Sequence, residues 1–155
     1  VKRGPATRYQ SAPIDGYSPF LVLDSRKVRA RKRERSVQVR FALADEIIKT
    51  REGPVKAHAG DAIVTGGAGE QWPVPPHTFA ARYRPQTPLA AGQPGTYLSL
   101  PIEVLAVRIR TAFAVDLSDD EHLLGKAGDW LVSYDDGSLA IVAARIFPMT
   151  YDRVS

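Results

Sequence analysis

Two stretches of this chain are versions of one another, and that repeat limits what it can fold into. AGDAIVTGGAGEQWPVPPHTFAARY (59–83) and AGDWLVSYDDGSLAIVAARIFPMTY (127–151) align at a constant shift of 68 residues. Ala59, Gly60, Asp61, Val64, Gly69, Val74, Phe79 and Tyr83 meet Ala127, Gly128, Asp129, Val132, Gly137, Val142, Phe147 and Tyr151, eight identities in 25 positions. Random pairing at average residue usage gives about one or two. The same shift lays Val39-Arg40 on Val107-Arg108 and Phe41 on Ile109, so the repeat runs over about 37–83 and 105–151. Two copies are too few to build a solenoid core. The expectation is one compact domain over 1–155 made of two pseudo-symmetric halves, with a linker at 84–104 and an N-terminal loop and basic segment at 1–36.

Within each copy the pattern is mainly β. SVQVRFAL alternates and is rich in β-branched residues, as a half-buried strand is, and PIEVLAVRI is its counterpart. IIKT-REG-PVKA reads as a hairpin turning at Gly53, echoed by AVDL-SDDE-HLL. A helix through Asp45–Lys49 is the alternative, cut short by Gly53-Pro54. AIVT and WLVS, then QWPV and LAIV, follow as strands. PPHTFAARY opens on the prolines that suit a helix start, and Pro148 predicts an irregular turn at the matching place. Residues 84–104 and the first 20 read as loop, being rich in Pro and Gly. PFLVL (19–23) is long enough for one more strand. The fold class is therefore α+β, mainly β, with few short helices.

The chain of 155 residues has no cysteine, which removes disulfides, thiolate metal sites and cysteine nucleophiles. No apolar run reaches the roughly 18 residues of a membrane span, and no signal-peptide core opens the sequence. A soluble, cytoplasmic protein with no membrane association is expected. Net charge is +4, yet RKVRARKRER (26–35) alone carries seven basic residues and one acid. The remainder is slightly acidic, so the basic character belongs to one segment.

Three groups of residues are candidates for function. Arg26, Lys27, Arg29, Arg31, Lys32, Arg33 and Arg35 form a basic stripe that could meet nucleic-acid phosphates. Val28 and Ala30 alternate with the charges, so a strand would set the arginines on one side; the other reading is a solvated edge strand kept from aggregating by its charge. Gly60-Asp61 and Gly128-Asp129 precede apolar strands. A catalytic carboxylate would need a cleft and a partner, whereas Asp and Gly together are a turn signal. Gly66, Gly69, Glu70 and Trp72 could line a groove, and GGAG could cradle an anion. But GGAG lacks the lysine and hydroxyl of a P-loop, and the matching Asp-Gly of the second copy is a hairpin signal. His58, His77 and His122 are scattered without metal-ligand spacing, so no metal and no cofactor is expected. Trp72 and Trp130 read as core residues.

IIKTREGPVKAHAGDAIVTGGAGEQWPVPPHTFAARY resembles small bacterial and phage proteins of the PGDYG-motif type. Thr50, Glu52, Gly53, Gly60, Asp61, Val64, Gly66, Gly69, Glu70, Pro73, Phe79 and Tyr83 fit their pattern. Ala59 and Ala62 depart from its proline and aromatic, and Trp130 restores the aromatic in the second copy. The resemblance is good over about 40 residues of the first copy and thin in the second. It implies a small β-rich domain and no particular activity. The expected function is a non-enzymatic binding or assembly module whose partner is an unknown protein, with a homodimer open. Nucleic-acid association through 26–35 is the alternative, and an enzyme with a carboxylate in a groove is the weaker one.

Overall fold

The computed structural model describes residues 4–154. In chain order its elements are β1 (Thr7–Gln10), α1 (Pro19–Val22), β2 (Val28–Lys32), β3 (Arg35–Phe41), β4 (Glu46–Thr50), β5 (Gly53–Ala57), β6 (Ala62–Thr65), β7 (Gln71–Val74), α2 (Pro76–Arg82), β8 (Tyr83–Pro85), β9 (Gly95–Ser99), β10 (Glu103–Arg108), β11 (Phe113–Asp116), β12 (His122–Gly125), β13 (Trp130–Ser133), β14 (Leu139–Val142), α3 (Phe147–Thr150) and β15 (Tyr151–Arg153). The chain forms two compact units. One is continuous (33–101); the other is split between residues up to 32 and from 102 onward.

The two units are built alike. The continuous unit holds a five-stranded sheet in the order β7-β6-β3-β9-β8 and the hairpin β4-β5. The split unit holds the equivalent sheet, β14-β13-β10-β2-β15, and the three-stranded sheet β1-β11-β12. β2 leads the first copy as β9 leads the second, yet β2 pairs with β10 while β9 pairs with β3. Each copy's leading strand is thus built into the other copy's sheet.

The repeat is not gapless. Val37 and Val39 pack with Phe79 and Tyr83; in the split unit it is Val104 and Ala106 that pack with Phe147 and Tyr151. The offset over β3 and β10 is therefore one less than the 68 that holds downstream. Because side chains alternate across a strand, one residue of slip sends every side chain to the opposite face. The shared Val-Arg dipeptide that suggests an unbroken shift places Val39 and Val107 on opposite faces. The extra residue lies in the second hairpin: Thr50 pairs directly with Gly53, leaving two residues in the loop, whereas Leu117 donates to Glu121, leaving three.

One core recurs in both units. Phe79 stacks on Tyr83 at 4.9 Å between ring centres, and Phe147 on Tyr151 at 5.0 Å. Each lies against the apolar face of its five-stranded sheet. Trp130 stacks on Phe147 at 4.0 Å, and Trp72 is partly buried against the other core, so both tryptophans pack as core residues. A second core in the split unit joins Leu21, Leu105, Val107, Ile109, Phe113, Val115, Leu131, Leu139 and Ile141; the continuous unit has a smaller counterpart in Ala42, Ile48, Ala57 and Ile63.

Several local expectations change. The region expected to be an N-terminal loop contains β1, α1 and β2; residues 1–3 lie outside the described part. PFLVL is not a strand. Pro19 sits at the first helical positions and Ser18 accepts the Phe20 N–H, so the segment closes into the turn α1, and Leu21 is buried. The stretch 84–104 is not all loop, since it contributes β8, β9 and the start of β10. Asp45–Lys49 is not helical: the hairpin prevails because Ile48 must face inward beside Ala57 and Ile63. The basic strand is not an edge, because β2 lies between β10 and β15.

Candidate functional site

The two Gly-Asp motifs make the same corner. Gly60 and Gly128 have φ of +92° and +96°, the left-handed region that favours glycine. Their N–H groups donate to Ala42 and Ile109. Asp61 is buried and its Oδ2 accepts the His58 N–H at 2.8 Å. Asp129 is buried and accepts from Lys126 N–H at 3.0 Å and Ala144 N–H at 3.2 Å. A buried carboxylate facing main-chain donors is stabilised where it stands. The chemistry of both sites is that of closing a turn into the strand that follows.

The glycine run makes a second shared device. Gly66 N–H donates to the Glu70 carbonyl and Gly69 N–H to the Gly66 carbonyl; Tyr134, Ser138 and Gly137 repeat the pattern. Gly69 and Gly137 both sit at φ +82°. The Glu70 carboxylate folds back over Gly66, beside Trp72, and accepts the Ala68 N–H at 3.1 Å. Gly66, Gly69, Glu70 and Trp72 do come together, around a hairpin bend. Among the described residues no group of three or more His or acidic side chains is placed to hold a metal ion.

The basic segment is distributed over two units. Arg26, Lys27, Arg29, Arg31 and Lys32 belong to the split unit, Arg33 and Arg35 to the continuous one. Arg26 is chelated by Asp24, whose carboxyl it holds below the usual range. Arg29 reaches Glu103 at 2.7 Å, and Arg31 reaches the same carboxylate at 3.9 Å. Arg29 and Arg31 do share one side of β2, with side chains 55% and 56% exposed, as the alternation predicts.

The structure also exposes a site that composition did not suggest. Residues 7–23 form a strap on the split unit. β1 pairs in parallel with β11, and Ser11 N–H continues the ladder to the Asp116 carbonyl. Ile14 and Gly16 donate to Asp136 and Asp135, and Ser18 N–H reaches Ser133 Oγ at 2.8 Å. Arg8 grips Asp116 through Nε at 3.1 Å and through Nη2, and His122 Nδ1 lies 2.6 Å from the same carboxylate. These partners, Arg8 first, hold Asp116 down at about 2.

In the continuous unit the corresponding strand, β4, pairs only with β5 among the described residues. Beside it stand Leu43, 97% exposed, and Ile47, 63% exposed. One signal for this was in the sequence: of the adjacent Ile47 and Ile48 on a strand, only one can face inward.

A repeated pair of five-stranded antiparallel sheets, each carrying a Gly-Asp corner, a glycine-bend hairpin and a helical turn with a Phe four residues before a Tyr, defines a small β-rich repeat protein. The chain belongs to the PGDYG protein family, whose model matches residues 53–152. That match runs through both copies, so the likeness extends well beyond the 40 residues of the first. No curated protein and no solved structure matches the chain. No helix among the described residues is long and apolar enough to cross a membrane.

Proposed function

We propose that this chain is a small intracellular binding or assembly module, non-enzymatic and of phage or prophage kind, whose partner is a protein. The observation that carries this reading is the pairing of exposed Leu43 and Ile47 with a strand, β4, that has β5 as its one neighbour among the described residues. An unpaired edge flanked by apolar side chains is a ready template for another chain. The motif carboxylates Asp61 and Asp129 and the Glu70 carboxylate accept turn N–H groups, which gives each a structural task.

Chemical cross-linking in a host lysate, read by mass spectrometry for wild type and Ile47→Asp side by side, tests this. Partner cross-links near 43–50 that vanish in the variant support the module. A small-molecule adduct retained in native mass spectra would turn the reading toward an enzyme. A second reading, nucleic-acid association, draws on the exposed Arg29 and Arg31. It predicts an adduct lost at high salt, and a flatter salt dependence when both are neutralised.

A further inference from the structure

We infer that the outer edge of β4 is a docking site for an extended acidic segment of a partner protein, entering parallel to β4 in the register that β1 takes on β11. This rests on the binding-module reading and gives its partner a chemistry. The template is in the same molecule. β4 and β11 are equivalent strands, each paired to the next by a hairpin, and β11 carries β1 on its other edge. Thr7, Arg8, Tyr9 and Gln10 stand opposite Phe113, Ala114, Val115 and Asp116; the equivalents on β4 are Glu46, Ile47, Ile48 and Lys49.

The main chain of β4 is arranged to receive such a strand. Thr50 and Gly53 close a two-residue hairpin, so hydrogen bonding to β5 falls on alternate residues and leaves those of Ile47 and Lys49 pointing outward. The carbonyl of Asp116, equivalent to Lys49, does point outward, because it accepts from Ser11. Strand addition of this kind takes affinity from main-chain bonds and specificity from alternate side chains.

The charges select the occupant. Arg8 lies opposite Ala114 and reaches diagonally to Asp116. On β4 that acid is replaced by Lys49, which is exposed. A guest residue opposite Ile47 therefore meets a cation, and an Asp or Glu there completes the pair with its sign reversed. The strap of a second copy would instead bring Arg8 against Lys49, which disfavours a swapped homodimer. The inward guest side chain, which would sit where Tyr9 meets Phe113, finds the Arg40–Glu46 ion pair instead and is expected to be polar. Beyond it the guest would cross the Thr65 and Gln38 side chains. Thr65 takes the place of Ser133, whose hydroxyl accepts the Ser18 N–H.

The probe is a synthetic peptide of residues 5–18 of this chain carrying Arg8→Glu, with the unaltered peptide as control. Both are titrated into the isotope-labelled full chain and followed by amide NMR and hydrogen exchange. The expected result is shifts and slowed exchange at Ile47 and Lys49, with the Glu peptide binding about tenfold or more tightly than the Arg peptide. In a Lys49→Glu chain, whose spectrum elsewhere must match wild type, the preference should invert.

The inference is overturned if residues 46–50 do not respond at millimolar peptide, if the two peptides bind equally, or if only residues 113–116 respond. Protection of β4 that grows with protein concentration alone would also overturn it, in favour of a second copy. Partner cross-links that persist in Lys49→Glu would remove this edge while leaving the module reading intact.

Discussion

The same sheet face carries a large apolar core in one unit and, in the other, a small one bordered by polar side chains. In the split unit neighbouring strands align Leu105, Ser133 and Leu139 in one row and Val107, Leu131 and Ile141 in the next. In the continuous unit the equivalent rows are Gln38, Thr65 and Gln71, then Arg40, Ile63 and Pro73. Gln38 donates to Thr96 at 2.9 Å, Gln71 to Thr65 at 3.1 Å, and Arg40 bridges to Glu46. One backbone thus supports a second face that is broadly buried in one unit and buried only around Ile63 in the other. The strap makes the difference, since Leu21 and the ring of Tyr9 cover what would otherwise be a wet hydrocarbon surface.

That contrast can be broken most forcefully at Leu21. It is fully buried, so Leu21→Ala should cost about 2–5 kcal/mol. Leu43→Ala, on an exposed residue of the other unit, should stay within about 0.5 kcal/mol. Each unit holds one tryptophan, Trp72 or Trp130, so denaturant melts of Trp72→Phe and Trp130→Phe backgrounds read the units separately. The Leu21 loss should appear in the Trp130 signal; equal loss in both would mean the strap serves both units.

Next come the two bend glycines. Gly69 and Gly137 share φ +82°, so replacing either with Ala meets the same backbone strain. A Cβ at Gly69 meets open space, whereas at Gly137 it meets Ile14 and the Ala12 carbonyl. Gly137→Ala should be the worse by about 1–3 kcal/mol, the cost of overpacking; equal melts would mean the strap yields there. The corner carboxylates sharpen the likeness instead. Asp129→Ala leaves two N–H donors without their acceptor and Asp61→Ala leaves one, so the order Asp129 over Asp61, by about 1 kcal/mol, is expected from thermal melts.

The smallest effect is the acid dependence of the strap. Asp116 is held at about 2 against an ordinary 3.8, chiefly by Arg8. A depressed carboxyl contributes its full stability above the unfolded value and loses it as pH falls through the folded one. Hydrogen exchange in β1 should therefore accelerate as pH drops from about 4 toward 2 beyond the intrinsic trend, and Asp116→Asn should flatten that slope. β4 should show a weaker slope of the same sign, because Arg40 holds the Glu46 carboxyl below its usual range.

The elements carried by local chemistry were legible in the sequence. Asp-Gly and Gly-Asp turns, two-residue periodicity and the Pro-Pro helix start identify the hairpins, β6, β7, β13, β14 and α2 without tertiary information. The register of β3 against β10 was not legible, because Val39-Arg40 and Val107-Arg108 coincide by sequence and diverge by face. Only packing against Phe79 and Phe147 separates them. β9 was hidden by the Pro and Gly around it. α1 was hidden by its apolar content, although Ser18-Pro19 is a helix-start pair. Of the candidate site, the corners and the glycine bend were readable as turns. The β4 edge needed the other unit for comparison, because a missing neighbour leaves no trace in the strand that lacks it.

The exchange of leading strands sets an order of manufacture. On the ribosome the continuous unit has every strand it needs once β9 has emerged, with no call on anything made before Arg33. β2 is made earlier than all of these, yet its neighbours β10 and β15 are made only after them. It must remain single while a closely related sheet assembles and closes on β9 in the place β2 would fit. Arg29, Arg31 and Lys32 suit a strand in waiting, since dense like charge keeps an early strand dissolved and apart until Glu103 arrives to meet it.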